Sequence, residues 1–105
     1  MFQTTFTGSS TPTTSIVGTL SLQAGKYLVS CDVTFQTTTD GAYYQQVSSS
    51  NDIVFTDSGT GAGGYYPISN GIGYIELGAA GTISVSVKSA NNCNVSGFLK
   101  ALKIN

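Results

Sequence analysis

The stretch GIGYIELGAAGTISVSVKSANNCNVSGFLKALKIN, Gly71 to Asn105, decides the fold. Within it Ile83, Val85 and Val87 alternate with Ser84, Ser86 and Lys88, the period of two that turns one face of a strand to a core and the other to solvent. A tight GAAG turn divides this strand, Thr82 to Lys88, from one at Ile72 to Leu77. A polar turn at Ser89 to Asn92 leads to a last strand from Asn94 to Ile104. Nowhere does an apolar period of 3.6 suggest a helix.

The same alternation governs KYLVSCDVTFQ, Lys26 to Gln36, where Tyr27, Val29, Cys31, Val33 and Phe35 share one face and Ser30, Asp32, Thr34 and Gln36 the other. Ile16 to Leu22 is a shorter strand ending at the Gln23-Ala24-Gly25 turn. Thr37 to Gly41 is a loop closing on the hairpin signal Asp40-Gly41. Strands are expected at Ala42 to Val47 and Asp52 to Thr56 around the turn Ser48 to Asn51, and at Tyr65 to Ser69 before the Asn70-Gly71 turn. Asp57 to Gly64, DSGTGAGG, reads as a loop, because glycine loses most backbone entropy on ordering. Residues 1–15 are hydroxyl-rich and read as a short edge strand or an arm, with Phe2 and Phe6 as candidate contacts to a neighbour or a shell, and Pro12 suits an edge or a turn. About eight short strands in 105 residues predict one all-β domain, residues 1–105, built as an antiparallel sandwich or barrel.

Composition narrows the function classes. Charged residues make up 9% of the chain, against roughly 25% in an ordinary soluble domain. The basic residues are Lys26, Lys88, Lys100 and Lys103, and the net charge is -1. A nucleic-acid partner needs a basic stripe that this chain lacks. No apolar stretch approaches the roughly 20 residues that span a bilayer, and the start has no signal-peptide pattern. A soluble protein without a membrane partner is expected, and from Met1 onward, with no shaft or stalk in front, a complete gene product.

Catalysis finds no support. The chain has no His, so imidazole triads and the common zinc sites are closed to it. No Ser stands three residues before a Lys, and Asp32, Asp40, Asp52, Asp57 and Glu76 form no pair with acid and base roles. No enzyme, cofactor or metal is expected. Gly59 to Gly64 matches G-x-G-x-x-G in form, but the phosphate-binding use needs a βαβ unit, so it reads as a surface loop. Asn94-Val95-Ser96 matches a glycosylation sequon by chance, since it lies at the start of the closing strand and nothing points to secretion. Cys31 and Cys93 are two free thiols or one disulfide.

Tyr43-Tyr44 and Tyr65-Tyr66 are adjacent pairs, so one member of each must face away from the core. An outward Tyr covers a sheet face, lines a subunit interface or forms a platform for a sugar.

Three segments carry a resemblance. LQAGKYLVSCDVTFQ (22–36), GYIELGAAGTISVSV (73–87) and CNVSGFLKALKIN (93–105), above all the run Ser96-Gly97-Phe98-Leu99, resemble the tumour necrosis factor and complement one-q superfamily of trimeric jelly rolls, as found in bacteriophage virion proteins. The resemblance implies a single jelly-roll sandwich and a homotrimer, which would also cover the excess apolar surface of a chain with so few charges. Tyr43, Tyr44, Tyr66, Tyr74 and Phe98 are the residues expected to line or flank the threefold contact. The family's calcium site is not implied, because Thr82 and not an acid follows Gly81. Its topology lays the closing strand antiparallel beside residues 26–36. With Ile104 near Lys26, Cys93 then falls about six residues, or roughly 20 Å, from Cys31, where a disulfide needs α-carbons within about 7 Å. Free thiols follow.

The function so implied is that of a non-enzymatic virion structural protein, a decoration or cement protein on the outer surface of a phage head, with itself and the major capsid protein as partners. Two alternatives stand beside it. One is the receptor-binding tip of a tail fibre or spike, gripping a surface glycan through the loops 37–41, 48–51 and 57–64. The other is a secreted lectin-like module.

Overall fold

The computed structural model of the chain describes residues 1–37, 41–49, 53–61, 64–69 and 72–104, and at 37, 55, 57–58, 60–61 and 64–69 the backbone alone. These residues form nine strands and no helix: β1 (Phe2–Ser10), β2 (Ser15–Leu22), β3 (Gly25–Thr37), β4 (Gly41–Ser49), β5 (Ile53–Gly61), β6 (Gly64–Ser69), β7 (Gly73–Leu77), β8 (Gly81–Ser89) and β9 (Cys93–Lys103). All ladders are antiparallel and fall into two sheets. The first sheet runs β1-β9-β3-β6, with β7 on the same edge of β3 as β6, and the second runs β2-β8-β4-β5. Successive strands alternate between the sheets at the start of the chain and the last strand returns beside the first, a jelly-roll-like wrap.

β3 is the spine of the first sheet because it is long enough to pair three ways. Its first half takes β7, with Leu28 opposite Tyr74, and its second half takes β6, with Phe35 opposite Tyr66. Along its other edge β9 runs from Tyr27↔Lys103 to Gln36↔Asn94. The backbone N–H of Ile104 donates to the Lys26 carbonyl at 2.9 Å. This is the placement the resemblance implies, and it carries the cysteines with it: Cys31 faces Leu99, six residues along β9 from Cys93, and both thiols are free.

The core lies between the sheets. Tyr27, Val29, Cys31, Val33 and Phe35 of β3 meet Tyr43 and Val47 of β4 and Ile83, Val85 and Val87 of β8, all buried. The largest polar side chain turned inward is that of Gln45, which is fully buried, and its Nε2 donates to the Cys31 Sγ at 3.2 Å across the two sheets. Burial in this apolar setting, aided by the neighbouring Asp32 charge, pushes the Cys31 thiol from 9.0 up to about 12.

Two expectations need correction. Residues 57–61 are strand, not loop: β5 continues through them because β4 supplies a full partner, from Tyr43↔Gly59 to Gly41↔Gly61, and ladder pairing outweighs the entropy of the glycines. Residues 62–63 lie outside the described residues. Of the edge strand and the arm offered for residues 1–15, residues 2–10 are the edge strand, β1, paired with β9 along its whole length, and what is corrected is the neighbour contact expected of Phe6, whose ring is buried. Its seat is made by two glycines. A β-carbon at Gly18 of β2 would stand 2.7 Å from the ring, and one at Gly97 of β9 would stand 3.0 Å from it and collide with the Asp32 carbonyl of β3. β2 reaches this position through a register shift between Ile16 and Gly18, the mark of a bulge.

Gly97→Ala is therefore expected to cost about 3 kcal/mol or more in urea unfolding, and Phe6→Ala about 3–5 kcal/mol. Ser10 is buried with its hydroxyl unpartnered among the described residues. Ser10→Ala should be neutral or stabilise by about 1 kcal/mol. A thiol reagent should leave Cys31 unmodified in the native protein and find both cysteines once it is unfolded. The raised Cys31 value stabilises the fold fully below its ordinary 9.0, and that contribution declines as pH climbs toward 12. The stability gap between the natural chain and Cys31→Ala should narrow over that window.

Candidate functional site

With the inward positions of the first sheet spent on the core, its outward positions form one continuous face. β9 lies in the middle, β1 on one side and β3 with β7 on the other, so the registers define rows across the strands. Tyr74, Leu28 and Leu102 make an apolar row on β7, β3 and β9. Tyr74 is 53% exposed and Leu102 43%. Glu76 pairs with Lys26 one step further out, beside the exposed Ile104. A shallow depression of about 350 Å³ adjoins the row, lined by Ile53, Val54, Tyr74, Ile75 and Glu76.

Moving inward along the face, Lys100 of β9 stands between Ser30 of β3 and Gln3 of β1, and Phe98 between Asp32 and Thr5. Lys100 Nζ sits 4.3 Å over the centre of the Phe98 ring, a cation-π contact that half-shields it. Beyond these rows the face turns neutral and polar: Thr34, Ser96 and Thr7 form one row, Gln36, Asn94 and Ser9 the next.

The residues expected at a threefold contact are not all brought together. Tyr74 and Phe98 share this face, two rows apart. Tyr44 points outward from β4 on the second sheet. Tyr43 points inward, 2% exposed, its ring 5.0 Å from that of Phe35, and it has no surface to offer a second copy. The Tyr66 side chain lies outside the described residues. Of the two aromatics expected to touch a neighbour, Phe6 is in the core, while Phe2 is half exposed with its ring edge-on to Tyr27 at 6.1 Å. Leu28, Leu102 and Ile104 are the members of the face that reading the sequence missed. Their signal is there: Leu28 is in phase with Ser30 and Asp32, and Leu102 with Phe98, so each stands on the polar side of its strand.

Among the described residues no three of Asp, Glu and Cys gather closely enough to hold a metal ion. Among the described residues no helix is long and apolar enough to cross a membrane.

No protein-family model matches the chain, and no curated protein does. Among solved structures, the chain is similar to a chain in the structure of infectious bursal disease virus, Gx strain. The TM-score is 0.58 at 14% identity, covering 96% of this chain and 29% of that one. A chain in the structure of the Gt strain of the same virus aligns at a TM-score of 0.47, with 14% identity over 94% of this chain and 30% of that one. This chain thus spans under a third of the length of the chains it matches. The first of these likenesses shows the fold: an all-β sandwich of two antiparallel sheets, of a kind present in a chain of a virus structure.

Proposed function

We propose that this chain is a non-enzymatic structural protein of a virion, and within that class a homotrimeric decoration or cement protein on the outer surface of a phage head. The observation that carries the reading is the apolar row of Tyr74, Leu28 and Leu102, extended by Ile104, on an otherwise regular sheet face. A chain with 9% charged residues has little to keep such a face in water, and contact between copies removes it from solvent. Tyr is the kind of residue that anchors such contacts, and the Lys26 and Glu76 pair beside it supplies opposite charges for a polar rim. The fold likeness to a chain of a virus structure supports a place in a virion. The major capsid protein is the partner this role requires, with the exposed Phe2 at the edge strand as a contact.

Light scattering at micromolar concentration is expected to return three times the mass of 10.8 kDa. Leu102→Glu and Tyr74→Lys should each shift that mass toward the monomer without loss of the β-sheet circular dichroism, whereas Tyr43→Ala should lower stability. Co-sedimentation with expanded phage heads that lack their decoration protein tests the capsid partner. A monomer at all concentrations would overturn the trimer, and absence from the pelleted heads would overturn the capsid role.

A further inference from the structure

The far end of the same face carries a second feature that the trimer does not use. From Leu28 to Gln36 is eight residues along β3, about 26 Å, so the apolar row and the two neutral rows occupy opposite ends. The neutral end is a trough. One depression of about 420 Å³ is lined by Thr7, Ser9, Thr34, Gln36, Asn94 and Ser96, with Gly8 and Val95, and an adjoining one of about 530 Å³ shares Ser9, Gln36 and Asn94 and adds Thr11 and Asn92 beside Cys93.

Three properties of this trough point to one ligand chemistry. First, its polar side chains are all hydroxyls and amides. Every one can both donate and accept, as the hydroxyls of a sugar do, and no charge is present to hold a phosphate or a carboxylate. Second, the side chains of Thr7, Ser9, Thr34, Gln36, Asn94 and Ser96 make no hydrogen bond to another described residue. On the second sheet similar groups bond sideways to each other, Thr19 to Ser84 at 3.3 Å and Gln46 to Thr56 at 3.5 Å. Gln3 and Ser30 elsewhere on the face are open in the same way, and what sets the two adjacent rows apart is that theirs line a depression. Third, the spacing is set by rigid backbone: three strands about 4.8 Å apart and two rows about 7 Å apart give a grid roughly 10 Å by 7 Å, the footprint of two pyranose rings. A site built on paired strands loses little entropy when it binds.

We propose that this trough is a binding site for a neutral oligosaccharide, with Asn94 and Ser96 as its floor on β9 and Gln36, Thr34, Ser9 and Thr7 as its two sides. It does not depend on the trimer, since every residue comes from one chain.

The test is a printed array of neutral and acidic oligosaccharides probed with the full chain, followed by calorimetric titration of the strongest neutral compound. The site predicts retention of neutral compounds, and a loss of affinity of about tenfold for Asn94→Ala or Gln36→Ala, the worth of one or two hydrogen bonds each. Both positions are exposed, so the melting temperature should not move. Tyr74→Lys at the other end of the face should leave sugar binding unchanged even where it dissolves the trimer, which keeps the two proposals separable. Retention of acidic compounds only, no retention at all, or neutral binding that survives the double replacement of Gln36 and Asn94 would each overturn the site.

Discussion

One aromatic ring holds the two sheets together at their shared edge. Phe6 enters from β1, lies over Gly97 of β9 and touches Gly18 of β2, so its ring packs the edge of the first sheet against that of the second. Neither glycine is there for a turn. Each is an absence of side chain that lets an aromatic ring approach backbone, and at Gly97 the neighbouring Asp32 carbonyl leaves no room for any other residue. With that seat formed, β1 can pair with β9 along its length, β9 can lie against β3, and the outward positions of all three become one surface.

That surface is divided by chemistry along its length. At one end apolar side chains stand out into solvent, at the other hydroxyls and amides do, with Asp32, Lys100 and Phe98 between them. The division is a property of β3 and β9 together. Each strand changes the character of its outward residues at the same register, from Leu28 to Gln36 on one and from Leu102 back to Asn94 on the other. A face meant only for water would not need such matched ends. On the second sheet two pairs of outward polar groups bond to each other instead, Thr19 with Ser84 and Gln46 with Thr56.

Much of this architecture was legible because a period of two leaves no ambiguity about phase once several apolar residues agree. Tyr27, Val29, Cys31, Val33 and Phe35 are all buried as their alternation requires, and so are Ile83, Val85 and Val87. The Ser96-Gly97-Phe98-Leu99 run placed β9 beside β3, and with it the separation of the cysteines. What was not legible depends on partners distant in sequence. Tyr43 and Tyr44 are equivalent until it is known that Gln45 and Val47 also face inward. Residues 57–61 look too rich in glycine for a strand until β4 is laid beside them. Phe6 looks like a contact for a neighbour until Gly18 and Gly97 are seen on either side of its ring. The polar trough has no local signature at all, since its residues come from both ends and the middle of the chain.

The Phe6 seat also dictates an order of events. The ring and Gly97 are separated by about 90 residues, so bringing them together costs roughly 4 kcal/mol of loop closure beyond a constant, and no local contact can repay it early. While the chain is being made, β1 has no partner until β9 has left the ribosome, and its hydroxyl-rich, charge-free edge must wait in solution. β1 carries neither charge nor proline to guard its open edge, and its one restraint is that Phe2 and Phe6 stand apart among hydroxyl and amide side chains and form no apolar run. Assembly of the sandwich is thereby coupled to synthesis of β9, and a chain lacking β9 leaves both the apolar row and the trough unformed.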